Sequence, residues 1–541
     1  MFKSSPWRLA ALLLIVVLVL GGLPLLKGGF YIGKHEIDTI QMSEIVLRMA
    51  RGEWPHLDFM TPIGVLAMAP IALFVALGAG IGHAIFYAQI LVALTLLPAA
   101  AWVAQSRLSG KVALAYAAFV MILCLALVHG ETERSVSISM HYNRWAWAVA
   151  YIVVPLVMLA PSRRPRPAVD GAIIGLGMAV LALIKATYFI SLAPAVLIGL
   201  LARRWWRVLA AAAVAGLLVA GLVTLLAGPQ FWVAYLNDLM TVARSEVRPQ
   251  PGESFAVITS APAYMGASMA LIGTVILLRQ AGRMVEGMIL LVLAPGFFFI
   301  VFQNYGNDPQ WLPLLALLAF VLRPAAGMTN SFGWDLRQSL SVTATLAFAF
   351  GFPSAANLAY SPIRHLVTDT EKTRPLISGM PAQSDILAKA SRIYGVLETR
   401  SGDGDGEPFA AFRALSDRHD PSILNGEELP YCEQAAGPVG WFETVDRDLE
   451  AAGYAGKRLL ATDLISSFWM FGDFEPVEGA GPWYYNWSAG VANADYIVVP
   501  LCPGVVDIRT EMLKSLADNG YKLTEVRRTP VYILIEAKRT P

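Results

Sequence analysis

Long apolar runs separated by short polar connections fill the first two thirds of the chain. The first covers Leu9 to Leu26, and others fall near 62–78, 84–104, 112–128, 145–160, 171–184, 188–202, 207–227, 262–278, 285–302, 310–322 and 339–356. A helix of about 20 apolar residues crosses the hydrocarbon of a bilayer, because backbone polar groups there must be satisfied inside the segment. The pattern predicts an α-helical polytopic membrane protein of about 12 spans. Lys3 and Arg8 precede the first run and no small-residue cleavage site follows it, so it reads as an uncleaved span with its N-terminus inside. After residue 357 the pattern changes. Helices are expected at 440–452 and 507–519, strands at 457–462 and 494–500, and a hairpin from 521–527 and 530–537. The expected organisation is a membrane module over 1–356 and a soluble α/β domain over 357–541.

Composition agrees with that division. Of 541 residues, 56% are hydrophobic and 15% charged, with mean hydropathy +0.55, against about 25% charged in a soluble domain. Of the 40 Asp and Glu, 26 lie after residue 360. A net charge of +1 excludes a globally basic nucleic-acid binder, and three cysteines exclude a disulfide framework or a zinc cluster.

Basic connections mark the cytoplasmic side. They carry Arg163, Arg164 and Arg166; Arg203, Arg204 and Arg207; Arg279 and Arg283; Arg323 and Arg337. The alternate connections, 228–261 and 303–309, are acidic, aromatic or long. From residue 145 onward this alternation puts everything after 357 outside, the periplasm of a cell whose inner (cytoplasmic) membrane holds the chain. Before residue 145 the parity fails. One segment there is re-entrant, split or not a span, and 62–78 and 112–128 are both short. Function favours 27–61 outside.

That first loop carries Glu36, Asp38, an amphipathic stretch from Ile40 to Met49, then Gly52-Glu-Trp-Pro55-His-Leu-Asp58-Phe59 and Pro62. Ile45, Val46, Met49 and Met42 share a face, which fits a short helix on the membrane surface. Glu36 and Asp38 fall where a helix N-terminus favours negative charge. An acidic residue, an amphipathic helix, a Gly-x-x-Pro-x-x-Asp-Phe turn and a Pro-led second run resemble the GT-C superfamily. These are integral membrane glycosyltransferases using lipid-phosphate sugars, including the protein O-mannosyltransferase-like and aminoarabinose-transferase-like branches of glycosyltransferase family 39 type. Family members carry Asp-Glu, a Gly fourteen residues after the Asp, and Pro-Tyr-x-Asp-Phe. Gly52 stands fourteen residues after Asp38, Thr39 replaces the Glu and His56 the Tyr. The resemblance implies that Asp38 is the acidic catalytic residue. Glu36 as a second carboxylate is our own inference. Leu181-Ala-Leu-Ile-Lys185, Gln303-Asn-Tyr-Gly-Asn307-Asp308, Leu459-Leu-Ala-Thr-Asp463 and Ala494-Asp-Tyr-Ile-Val-Val-Pro500 resemble family stretches more weakly.

Inverting transfer from a polyprenyl-phosphate sugar to a periplasmic acceptor (lipid, glycan or protein) needs a base, cations for the departing phosphate, and an apolar groove for the lipid. Asp38 is the expected base and Asp58 an orienting or structural partner. Candidate phosphate ligands are Lys185, Arg144, Arg134, Arg244 and Arg248. Lys185 closes an apolar run, where an ionisable residue is a functional candidate by default, although a snorkelling Lys looks the same in sequence. His141, Tyr142, Asn143, Gln303 and Asn304 are candidate sugar ligands. Around Arg144 the alternative is an interfacial aromatic belt. No cofactor is expected and no metal cluster is visible, since the seven His are scattered and Asp403-Gly-Asp405-Gly-Glu407 lacks the twelfth-position Glu of a calcium loop. Cys432 and Cys502 are free to pair if their domain is periplasmic, but spacing does not decide it. Pro482-Trp-Tyr-Tyr-Asn486-Trp487 suits either carbohydrate binding or packing. Two other readings fit the spans: a transporter or flippase for lipid-linked sugars, and a polysaccharide polymerase or ligase. Neither requires an acidic first loop.

Overall fold

The computed structural model describes residues 6–130, 133–162, 164–245, 262–304, 309–404, 407–415, 420–485 and 489–539. Arg163, Arg248, Asn307, Asp308, Asp405, Asn486 and Trp487 lie outside the described residues. The chain is mostly helical, with a smaller strand-containing C-terminal region. The helical part contains α1 (Pro6–Leu25), α2 (Glu36–Ala50), α3 (Ala69–Ala76), α4 (Ile81–Arg107), α5 (Gly110–Leu125), α6 (His141–Met158), α7 (Pro167–Ile184), α8 (Ala186–Ala202) and α9 (Trp206–Ala227). It continues with α10 (Gln230–Ala243), α11 (Pro262–Gln280), α12 (Met284–Phe302), α13 (Trp311–Val321) and α14 (Leu336–Leu366). Six of these, α1, α4, α7, α9, α12 and α14, are long and apolar enough to cross a membrane. Four shorter apolar helices accompany them, α5, α8, α13 and residues 264–280 of α11.

The expected span at 62–78 is not a spanning helix. It is a 3-10 turn, Val65–Ala67, followed by α3, whose 8 residues rise only about 12 Å. Gly64 explains the break. A Cβ there would sit 2.1 Å from the Leu183 carbonyl, and its N–H donates to Ile184 O at 3.0 Å. The chain is thereby pinned against the end of α7. Helix α6 is buried along its whole length, enclosed by its neighbours. Helices α7 and α9 touch backbone to backbone, because Gly171 and Gly175 leave no side chain between them and the Val208 and Ala212 carbonyls. Such small residues four apart let membrane helices approach closely.

The connections sort into two ends. At one, Ser162 bonds Ser106, Arg107 pairs with Asp170 at 2.7 Å, Arg203 binds Glu286 and the Met158 carbonyl, and Asn330 bonds Gln280. Of the arginines read as one side in the sequence, Arg203 takes part in these contacts. At the other end lie residues 27–61, 126–130 and 133–140, Lys185, Asn304 and the described part of the C-terminal unit.

That unit is joined to the first loop. Strand β1 (Phe30–Ile32) pairs in parallel with β3 (Ile386–Lys389), which pairs antiparallel with β2 (Thr373–Pro375). The Asp385 carboxylate accepts N–H bonds from Gly82 and His83 and so caps α4 from the C-terminal side. The boundary expected at 356/357 falls inside α14, which continues to Leu366. Beyond it, β4 (Leu397–Arg400) pairs with β7 (Cys432–Ala436), and β5 (Ile423–Leu424) with β6 (Glu427–Glu428). The main sheet comprises β8 (Leu459–Ala461), β9 (Tyr496–Pro500), β10 (Tyr521–Arg528) and β11 (Tyr532–Arg539), in the order β10-β11-β9-β8. The β8–β9 pair is parallel and the others antiparallel. Helices α15 (Pro438–Ala451) and α16 (Val506–Asp518) accompany it, and Cys432–Cys502 is a disulfide.

Candidate functional site

The acidic loop begins at His35, whose left-handed backbone (φ 65°) turns the chain into α2. Asp38 lies in the first turn, and Ser139 Oγ donates to its Oδ2 at 2.5 Å. Ser137 Oγ takes the Ser139 N–H at 3.1 Å and lies 3.0 Å from His35 Nδ1. A Ser-x-Ser segment therefore stitches the start of α2 to the approach to α6. His129 stands 5.0 Å from His35, ring to ring. Burial lowers both imidazoles, His129 to about 3, where the neighbouring His35 and Arg144 push the same way. Both are uncharged at neutral pH, so Asp38 has no histidinium beside it.

Past Ser139 the chain passes Met140, also left-handed, and enters α6. Its first turn presents Tyr142 and Asn143 to Lys185 and Asn304, which follow α7 and α12. Lys185 separates α7 from α8 in extended backbone. Its ammonium hydrogen-bonds Asn304 Oδ1, lies 3.5 Å from Asn143 Oδ1, and stands 5.4 Å from the Tyr142 ring centre. Asn143 Nδ2 donates to Asn304 Oδ1 at 3.0 Å. Buried Arg144 donates to the Val128 and Ala126 carbonyls, and its Nε has no partner. Nor does the Tyr188 hydroxyl. His129, Asn143, Arg144, Tyr188 and Asn304 line one small cavity. Among the described residues no carboxylate pairs with Lys185 or Arg144. Half-buried Lys185 and buried Arg144 thus both lie beside Asn143 and Asn304, among amides, carbonyls and the rings of Tyr142, His129 and Tyr188.

The remaining sequence candidates are placed differently. Glu36 is buried and gives both carboxylate oxygens to Arg392, so it is committed to an ion pair rather than open to solvent. Asp58 Oδ2 accepts the Trp54 N–H at 2.6 Å, the bond of a turn-closing residue. The two His141 nitrogens face the Ala67 and Ile138 carbonyls, leaving none for a ligand; the residue anchors the 3-10 turn to α6. Gln303 caps the end of α12 beside Asn304. Arg134 and Arg244 are exposed, and nothing brings them into the Lys185 cluster.

Other groups were not anticipated. His56 Nδ1 lies 2.8 Å from Asp238 Oδ2, which also takes the Thr61 N–H, so the pair clips α10 to the first loop. Glu44 accepts from Arg48, Ser467 and Trp469, and Arg48 donates to the Val477 carbonyl. These bonds lock α2 to the C-terminal unit. The bonds to Ser467, Trp469 and Val477 join residues more than 400 apart, and no local pattern announces them. In the sequence, the alternating serines before His141 were the available signal for Ser139.

Neither family models, curated proteins nor solved structures match this chain. Among the described residues no group of three His, Cys, Asp or Glu side chains could hold a metal ion.

Proposed function

We propose that the chain is a GT-C-type membrane glycosyltransferase that moves a sugar from a polyprenyl-phosphate donor to an acceptor outside the inner membrane of a bacterium. The observation that carries this reading is the pair Lys185 and Arg144. Burying a cation without a counter-ion costs several kcal/mol, so such sites generally await an anion. A phosphate that must enter and leave is the ligand such a site suits. The carboxylate of Asp38 lies at the same end of the bundle, reached through the 137–139 segment and the His35–His129 contact.

Taking α1, α4 to α9 and α11 to α14 as the helices that carry the chain from one face to the other, the 11-residue α13 with its flanking segments included, puts every arginine-rich connection on one side. The loop 27–61 and the C-terminal unit fall on the other. A disulfide in that unit agrees with an oxidising compartment. In the reaction, Asp38 takes the proton of the acceptor hydroxyl as its oxygen attacks the anomeric carbon. The bond to the phosphate oxygen breaks, and Lys185 with Arg144 receives the developing charge. Ser139 holds the Asp38 carboxylate in place.

The test is Asp38→Asn, assayed by mass spectrometry of surface glycans and lipid-linked sugars in a deletion strain carrying each variant. Loss of a general base predicts a fall of about 10²–10⁴-fold with donor binding retained. Wild-type turnover by Asp38→Asn would refute the assignment.

A further inference from the structure

Helix α2 does not lie open on a membrane surface, as its apolar face suggests. Every residue from Thr39 to Arg48 is buried. Its long polar side chains are met from the C-terminal unit. Gln41 Nε2 donates to the Tyr485 hydroxyl at 3.2 Å, Glu44 accepts from Ser467 and Trp469, and Arg48 donates to the Val477 carbonyl at 2.9 Å. Positions 41, 44 and 48 are spaced by three and four, so these contacts share one face of the helix. Arg51, just past the end of α2, places its guanidinium 4.5 Å from the Trp469 ring centre.

The first turn, which carries Asp38, is held differently. A helix start leaves N–H groups unsatisfied, and an N-cap side chain commonly secures it. His35, the N-cap of α2, makes no such side-chain bond. Glu36 holds the turn instead. Its two carboxylate oxygens take Arg392 Nε and Nη2, the latter at 2.8 Å. A bidentate guanidinium–carboxylate pair fixes orientation as well as distance. Strand register brings the two residues together. In the parallel pair β1–β3, Ile32 stands opposite Ala388. Four residues beyond Ile32 is Glu36, and four beyond Ala388 is Arg392, in the helical turn Ala390–Ile393. The intervening turn 33–35 is therefore tied to the C-terminal unit at both ends. From the segment that carries Ser139, the Val136 carbonyl takes the Gly33 N–H at 2.9 Å.

We propose that Arg392 is a positioning residue for Asp38. It clamps the first turn of α2 to the C-terminal unit and so sets where the Asp38 carboxylate stands, which makes that unit a fixed part of the acidic-loop site. Arg392 acts through Glu36 and the backbone of α2. A displacement of about 1 Å at a reacting group can cost about a hundredfold in rate, so a clamp of this kind is read in turnover. The effect on transfer rests on the glycosyltransferase reading; the clamp does not.

Hydrogen exchange over residues 33–42 is measured on the full chain in detergent. Transfer is measured by mass spectrometry of lipid-linked sugars and surface glycans in a deletion strain, per molecule of inserted protein. Arg392→Met should speed exchange across 33–42 roughly tenfold or more and lower transfer by about 10- to 100-fold. Arg392→Lys keeps the charge and loses the bidentate fit, so it should fall between; it carries the test alone if the Met variant does not insert. Adding Glu36→Gln to Arg392→Met removes the unpaired buried charge, and should restore the melting temperature without restoring transfer. Arg527→Met breaks the Arg527–Asp448 pair of the C-terminal unit, and should leave transfer and the 33–42 exchange unchanged even where the melting temperature falls. The inference is overturned if both Arg392 variants exchange and transfer like wild type, if the double variant recovers transfer together with its melt, or if Arg527→Met lowers transfer as much as Arg392→Met. Faster exchange in Arg392→Met, in a chain whose wild type transfers no sugar from a lipid donor, would sink the glycosyltransferase reading and leave the clamp standing. Wild-type transfer by an inserted Arg392→Met would do the reverse.

Discussion

Asp446 in α15 is buried, 2 % exposed, and neither carboxylate oxygen has a hydrogen-bond partner. Around it Phe442 stacks on Phe471 at 4.8 Å, and Gly472 approaches so closely that a Cβ there would lie 2.9 Å from Asp446 Cβ. Burial pushes the carboxyl up to about 9, and the charges of Glu450 and Glu443 add to the rise. The unfolded chain releases this proton near the ordinary value of 3.8. Between those two values the folded state holds a proton that the unfolded state has lost. Stability is therefore greatest below 3.8 and declines as pH rises through this window. Each unit is worth about 1.4 kcal/mol, so moving from pH 5 to pH 8 costs roughly 4 kcal/mol at this one residue.

Asp446→Leu removes the titration and keeps a side chain of similar reach. Tryptophan-fluorescence melts of the full chain in detergent at pH 5, 6, 7 and 8 compare it with wild type. The wild-type melting temperature should fall across the series relative to the variant. For a unit of this size a kcal/mol moves it by about 2–4 °C, so the curves should diverge by roughly ten degrees. The comparison between proteins matters, because Asp463, which burial lifts to about 6 against three N–H bonds, contributes the same sign to both. Parallel curves, or a variant less stable than wild type at pH 8, would show that Asp446 is ionised and accommodated in the folded state.

Lys185→Met should abolish or strongly weaken transfer while the protein stays inserted, and its melting temperature should hold or rise, because an uncompensated cation has been removed. Wild-type turnover would return Lys185 to snorkelling. Arg392→Met leaves the Glu36 carboxylate buried without its partner and should cost about 1–3 kcal/mol; adding Glu36→Gln should recover most of the loss, and a melt of the double variant no better than the single would refute the pairing. Cysteine-reactive reagents should label Cys432 and Cys502 in denatured protein only after reduction. Closing a loop of sequence separation 70 stabilises by about 4 kcal/mol on the chain-entropy account, so Cys432→Ser should melt much earlier. Labelling without reductant would remove the disulfide and its support for an outside location.

The parts legible in the sequence are those with a local period. Apolar runs marked most of the long apolar helices to within a few residues, although α14 continues to Leu366, well past the expected 356, and the periodicity marked the elements that became β8, β9, α15, α16 and the β10–β11 hairpin. The run at 62–78 misled because composition does not distinguish a spanning helix from an apolar segment folded back on the bundle. The decision there lies in one contact, Gly64 against the Leu183 carbonyl, between residues far apart in the chain. The same limit governs the site. Asp38, Lys185, Asn143 and Asn304 were visible as residue types in outside connections. The grouping of Lys185, Asn143 and Asn304 depends on the start of α6 meeting the ends of α7 and α12, a consequence of packing. Glu36 shows the converse. In the sequence it is equivalent to Asp38, an acidic residue in the same first turn. Two residues on a helix lie about 200° apart, so the two carboxylates face opposite ways. One meets Ser139 from the membrane module and the other Arg392 from the C-terminal unit. Which of them stays free for chemistry is therefore set by what each face packs against, and that is the physical reason for assigning the base to Asp38.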